Sequence, residues 1–190
     1  MSGLTFYFGT MNSSKTANML MKAHNYRSND KKILLIKPKC DTRGINPLEI
    51  SSRAGQSMMA DLILDNDVTD ISSMLVDIEC IMVDEAQFLS RDNIDMLRDI
   101  SMSIPVLCYG LRTDYMSKLF SGSKRLMEVS DIIEEISTVC VGCLRKATVN
   151  AKFFIDEYDN KVIIREGSSK LDLGAEEKYQ PMCWQCWIEG

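Results

Sequence analysis

The sequence has one histidine, two tryptophans and four prolines among 190 residues, and no long apolar run. A lone histidine leaves no partner for a catalytic imidazole pair and no second imidazole for a metal. His24 falls late in an expected helix, where a charge near the C-terminus is its ordinary use. No stretch approaches the ~20 apolar residues that span a bilayer, so no membrane contact is expected. Positive charge is not in excess either: 22 Lys and Arg stand against 27 Asp and Glu, a formal charge of −5. Gripping phosphate backbones normally needs a basic face, so nucleic acid is not an expected partner. The opening Met1-Ser2-Gly3-Leu4-Thr5-Phe6 lacks the basic and apolar regions of a secretory signal. With an odd count of seven cysteines, this favours reduced thiols and a cytoplasmic location.

What is present suits a globular chain: 45% hydrophobic and 26% charged residues, too apolar for a disordered segment. The length allows one full-sized domain and a small appendage. Thirteen methionines read as adaptable core filling.

Up to about Val139, apolar runs alternate with helical patterns. Leu4–Phe8, Lys32–Ile36, Cys80–Val83 and Ile104–Tyr109 read as strands, closed by Gly9, Pro38, Asp84-Glu85 and Gly110. Helices are expected from Lys15 to about Tyr26, with Met19, Leu20 and Ala23 on one face, and over 90–101 with Ser90 as N-cap. Apolar strands separated by helices point to an α/β fold, a parallel sheet covered by helices on both faces. Ligands in such sheets bind beyond the carboxyl ends of the strands. After Val139 the character changes. Residues 140–190 hold four of the seven cysteines and a hairpin pattern, Lys152–Tyr158 and Lys161–Arg165, turning at Asp159-Asn160. The expected division is therefore 1–138 and 139–190.

Gly9-Thr10-Met11-Asn12-Ser13-Ser14-Lys15-Thr16 follows a strand and opens a helix, the setting of a phosphate-cradling loop (P-loop). Its amides and the helix N-terminus would hold phosphate oxygens of ATP. Lys15 would sit by the β- and γ-phosphates, and Thr16 would hold Mg²⁺. Ser14 stands where a second glycine is usual. A right-handed backbone there accepts serine without strain, whereas φ > 0 would cost stability or affinity.

Ile81-Met82-Val83-Asp84-Glu85-Ala86-Gln87-Phe88 puts two carboxylates after a buried strand. Asp84 suits Mg²⁺, and Glu85 can take a proton from an attacking hydroxyl or water. Acidic residues also end strands as helix caps, but here the pair supplies what Lys15 and Thr16 lack. Cys140-Val141-Gly142-Cys143 and Cys183-Trp184-Gln185-Cys186 are two C-x-x-C pairs, 183 − 143 − 1 = 39 residues apart. Four thiolates match a closed, structural Zn²⁺ site. A redox dithiol or buried free thiols are the other readings. Cys40, Cys80 and Cys108 are isolated and read as core or near-core.

In this order, phosphate loop, acidic strand end and C-terminal cysteine pairs, the chain resembles type II thymidine kinases over essentially its whole length, in their bacterial and bacteriophage branch. Lys37-Pro38-Lys39-Cys40-Asp41-Thr42-Arg43 is similar to the family segment carrying an Asp and an Arg near the phosphates. Tyr109-Gly110-Leu111-Arg112-Thr113-Asp114-Tyr115 with Leu119-Phe120 resembles the stretch lining the base pocket. Gly174-Ala175, Tyr179 and Cys183 resemble the end of the family's lasso loop, which closes over the nucleoside. Asn150 falls near where many members carry a Thr or Ser by the base.

The resemblance implies transfer of the γ-phosphoryl group of ATP to the 5′-hydroxyl of thymidine or deoxyuridine. It makes Glu85 the general base and Arg43 the guanidinium that stabilises the transferring group. Gly9 to Thr16, Asp84 and Gln87 would bind ATP, and Thr16, Asp84 and Asp41 would hold Mg²⁺. Met11, Arg53, Phe88, Leu111, Tyr115, Phe120 and Tyr179 would bind the nucleoside. A homotetramer inhibited by thymidine triphosphate is also implied. Two other readings of the same residues are a phosphate-loop ATPase or nucleotide switch, and a non-catalytic zinc module with a degenerate loop.

Overall fold

The computed structural model describes residues 2–42, 46–166 and 179–190. Its centre is a six-stranded sheet in the order β5-β2-β6-β7-β1-β8, formed by β1 (Leu4–Phe8), β2 (Ile33–Pro38), β5 (Leu62–Leu64), β6 (Cys80–Val83), β7 (Val106–Gly110) and β8 (Ile132–Glu135). Every neighbouring pair runs parallel. The period-2 alternation of strand side chains sorts each apolar run between two faces. Leu34, Ile36, Ile81 and Val83 face one way, with Ile94 and Leu97 of α2 (Arg91–Ile100) and Leu126 of α3 (Ser121–Val129) over them. Ile33, Leu35, Cys80 and Met82 face the other, under Met19, Leu20 and Ala23 of α1 (Lys15–Ser28). Burial on both sides is why these strands read as unbroken hydrophobic runs.

Two differences from the sequence reading have clear causes. Pro38 does not stop its strand but is the last residue of β2, paired with Leu64. The ladder to β6 has already ended at Ile36↔Val83, so the missing proline N–H leaves no bond unmade there. The sequence reading also passed over several elements: α3, the exposed edge strand β8, and the three-residue strands β3 (Glu49–Ser51), β4 (Ser57–Met59) and β5. Strands of three residues are too short to display a period, and β8 has no buried face.

The cysteine-rich part forms a three-stranded antiparallel sheet, β10-β9-β11. It comprises β9 (Val149–Ile155), β10 (Lys161–Ile164) and β11 (Tyr179–Met182), followed by the short helix α4 (Trp184–Glu189). The expected hairpin is there, closing through Asp156 and Asn160. Val149, Ala151 and Phe153 pack with Ile163, Met182 and Trp187 around the cysteines. By alternation Asn150 and Lys152 fall on the opposite face of β9.

Candidate active site

The phosphate loop leaves β1 where the chain can tolerate no side chain. A Cβ on Gly9 would meet Ile136 O at 2.3 Å and Ser13 Oγ at 2.4 Å. Asn12 and Ser14 then take left-handed backbones, with φ of 63° and 62°. Of the two conformations open to Ser14, the loop therefore adopts the one that strains a serine. Lys15 Nζ lies across the loop, donating to Thr10 O at 2.8 Å and to Ser13 Oγ at 3.4 Å. Thr10 Oγ1 is buried with no hydrogen-bond partner among the described residues.

The two long helices start differently. Ser90 caps α2 with a full capping box, its Oγ accepting from Asn93 N and its own N–H reaching Asn93 Oδ1. Ser14 makes no side-chain cap on α1, and α1 has no acidic residue in its first turn. The first amides of α1 thus keep both their donors and their partial positive charge for an anion.

From the end of β6 comes Asp84, whose carboxylate oxygens lie 3.2 and 3.1 Å from Thr16 Oγ1, the hydroxyl donating. The pair joins residues 68 positions apart. A hydroxyl and a carboxylate side by side beside an open helix N-terminus fit a hard divalent cation. Glu85 follows with a left-handed backbone of φ 49° and is buried. Gln87 Nε2 donates to Glu85 Oε2 at 2.5 Å, and Gln87 Oε1 accepts from Leu111 N at 2.9 Å. Leu111 N can only donate, so the orientation of the Gln87 amide is fixed and its NH₂ must face the carboxylate. Gly110 makes this possible, since a Cβ there would come within 2.6 Å of Gln87 Oε1. Gln87 therefore orients Glu85 and points both ends of its side chain into the protein. Its spacing alone did not reveal this.

Around these groups stand the aromatic candidates. Phe88 and Phe120 meet edge to face at 5.7 Å, Leu111 is buried, and Tyr115 is 1% exposed. Tyr179, at the start of β11, is paired with Lys152. The Lys152 ammonium lies 5.3 Å from the Tyr115 ring and 5.8 Å from that of Tyr179, bringing the two tyrosines to one cation. Met11 N donates to Asn150 Oδ1. Arg53 sits exposed on the turn between β3 and β4. Asp41 is buried with Lys37, their charged atoms 3.4 Å apart, while Lys37 Nζ also donates to Glu49 O at 3.0 Å. That buried lysine was not singled out in the sequence, although a charge ending the apolar run of β2 was a signal. Arg43, Gly174 and Ala175 lie outside the described residues.

The four cysteine sulfurs of the C-terminal pairs lie within 4.8 Å of one another, with Cys143 and Cys183 3.6 Å apart. A tetrahedral Zn–S distance near 2.3 Å puts sulfurs about 3.8 Å apart, so the arrangement fits a zinc site. The Arg145 guanidinium, donating to Cys143 Sγ at 3.3 Å, pulls that thiol down to about 6. Hydrogen bonding with Cys143 pushes Cys186 up to about 12. Among the described residues no helix is long and apolar enough to cross a membrane.

A family model described as thymidine kinase matches residues 2–187. Thymidine kinase of Encephalitozoon cuniculi is 36% identical over 189 residues, covering 98% of this chain and 87% of its own. That of Enterobacteria phage T4 is 36% identical over 195 residues, with 100% and 97% coverage. Thymidine kinase of Streptococcus pyogenes is 36% identical over 192 residues, with 96% and 95% coverage.

Proposed function

The chain belongs to the thymidine kinase family, and we propose that it transfers the γ-phosphoryl group of ATP to the 5′-hydroxyl of thymidine, giving thymidine monophosphate and ADP. Residues 9–16 bind the triphosphate through backbone amides, with Lys15 against the outer phosphates. Thr16 and Asp84 hold Mg²⁺, which when bound neutralises charge on the phosphates. Glu85 accepts the proton of the 5′-hydroxyl as its oxygen bonds to the γ-phosphorus and the bond to the β-phosphate oxygen breaks. Gln87 holds the Glu85 carboxylate on one side. Arg43 stabilises the phosphoryl oxygens. Leu111, Met11, Phe88, Phe120, Tyr115 and Tyr179 form an apolar slot for the base, and Arg53 contributes from the neighbouring hairpin. Zinc on Cys140, Cys143, Cys183 and Cys186 fixes the base of residues 139–190 and takes no part in the chemistry. Deoxyuridine is a second acceptor, thymidine triphosphate a feedback inhibitor, and the assembly a homotetramer.

The observation that supports this most is the meeting of Thr16 with Asp84 at 3.1–3.2 Å, next in sequence to a glutamate whose orientation is fixed by a buried amide. The test is transfer from γ-labelled ATP across a panel of nucleosides, using metal-replete protein. Label should appear on thymidine; label released only as free phosphate, or not at all, would reject the reading.

A further inference from the structure

We infer that Asn150 is a positioning residue that locks the phosphate loop to the loop lining the nucleoside side; this rests on the function proposed above. Asn150 is 1% exposed. Its Oδ1 accepts from Met11 N at 2.7 Å, and its Nδ2 donates to Thr113 O at 2.8 Å. A backbone N–H can only donate and a carbonyl can only accept, so the orientation of the amide is determined by its partners. One short side chain thus joins residues 139 and 37 positions earlier in the chain.

The place matters because of where the sheet stops holding these loops. The β1–β7 ladder runs to Phe8↔Gly110, with Gly9 N donating to Gly110 O at 3.3 Å. Beyond that bond the two chains diverge, one into the phosphate loop and the other towards Tyr115. Asn150 reaches both from a third element, β9. Its bond to Met11 immediately precedes the left-handed Asn12. A strained backbone persists only when its surroundings over-determine it, and Met11 N is one of the groups that does so here. Strand β9 also pairs with β11, which carries Tyr179. The same strand therefore registers the phosphate loop, the nucleoside loop and Tyr179.

The experiment uses the full zinc-loaded chain and its Asn150→Ala and Asn150→Asp variants. Affinities for MgATP and for thymidine are measured by calorimetry, and amide exchange is followed at Met11 and in 111–116. Loss of two buried hydrogen bonds should weaken both ligands roughly tenfold in Asn150→Ala. Exchange should rise at Met11, while Phe6 and Cys108 in the strands stay protected. Asn150→Asp keeps the acceptor for Met11 but sets a carboxylate against Thr113 O. Met11 should then stay protected while 111–116 opens and thymidine binding weakens. Should Asn150→Ala fail to fold, Asn150→Ser gives the same readouts. A folded variant with both affinities within about twofold of the parent, or with Met11 exchange unchanged, overturns the inference. A parent chain that binds neither ligand overturns the functional reading instead, and Met11 exchange then still decides the role of Asn150.

Discussion

The same residue type stands in two different settings in this molecule, isolated in the sheet and clustered in the C-terminal part. In the parallel sheet, burial pushes the Cys80 thiol up to about 11 and the Cys108 thiol up to about 12. In the C-terminal part, Arg145 draws Cys143 down to about 6. The sheet treats sulfur as one more apolar group in a core closed by helices on both faces. The cysteine cluster buries Cys140 and Cys183, leaves Cys143 and Cys186 half-buried, and sets Cys143 beside Arg145. The first arrangement makes a rigid platform whose strand ends can carry the chemistry. The second packs a small apolar cluster around four sulfurs that could hold a metal ion.

Zinc removal should break that contrast most strongly. Metal-linked folding free energy in small four-ligand units is on the order of 10 kcal/mol. Chelation, or Cys143→Ser, should open 140–166 and 179–190 to exchange and proteolysis while β1, β2, β6 and β7 remain protected. Simultaneous loss of protection throughout would mean that the two halves form one cooperative unit. Glu85→Gln comes next and touches only the sheet side. Removing a general base lowers kcat by about 10²–10⁴. Thymidine affinity and the melting temperature should barely move, and a near-normal kcat would exclude Glu85 as the base.

Alkaline pH sharpens the comparison from the other side. A folded pKa raised above its unfolded value contributes stability below the unfolded pKa, near 8.5, and loses it as pH rises through the folded one. The sheet should therefore lose stability between roughly pH 8.5 and 12, by at most ~1.4 kcal/mol per pH unit per thiol. Cys108→Ala should flatten that slope at the expense of a small cavity. An unchanged slope would place the titrating group elsewhere.

How much of this was legible in the sequence follows the same division. Strand and helix alternation, Lys15, Thr16, Asp84, Glu85 and the paired cysteines all announce themselves, because each depends on residue type at short spacing. The relations between distant loops do not. Gln87 reads as an ATP-binding residue of the acidic motif until Leu111 N is seen to fix its amide. Asn150 reads only as a residue near the base until Met11 and Thr113 converge on it. Both are buried amides that bond backbone atoms of distant loops, and backbone partners leave no mark in a sequence. The hairpin of β3 and β4 and the exposed β8 were invisible for a simpler reason: short or unburied strands have no hydrophobic period.

The smallest expected effect concerns a residue whose identity was plain and whose conformation was not. Ser14 starts α1 at φ 62°, ψ 27° and makes no side-chain cap. A left-handed backbone costs an ordinary L-residue roughly 1–2 kcal/mol. Glycine avoids that cost but gives back about 0.5–1 kcal/mol through the greater freedom of its unfolded chain. Ser14→Gly should therefore stabilise the sheet half by about 0.5–1 kcal/mol, a rise of a few degrees in melting temperature for a chain of this size. Because the loop already has the left-handed shape, affinity for MgATP should stay the same or tighten slightly. A lower melting temperature would mean that the serine hydroxyl holds the loop in a way its lack of a cap does not reveal. A large gain in affinity would mean that the Ser14 side chain stands where a phosphate oxygen belongs.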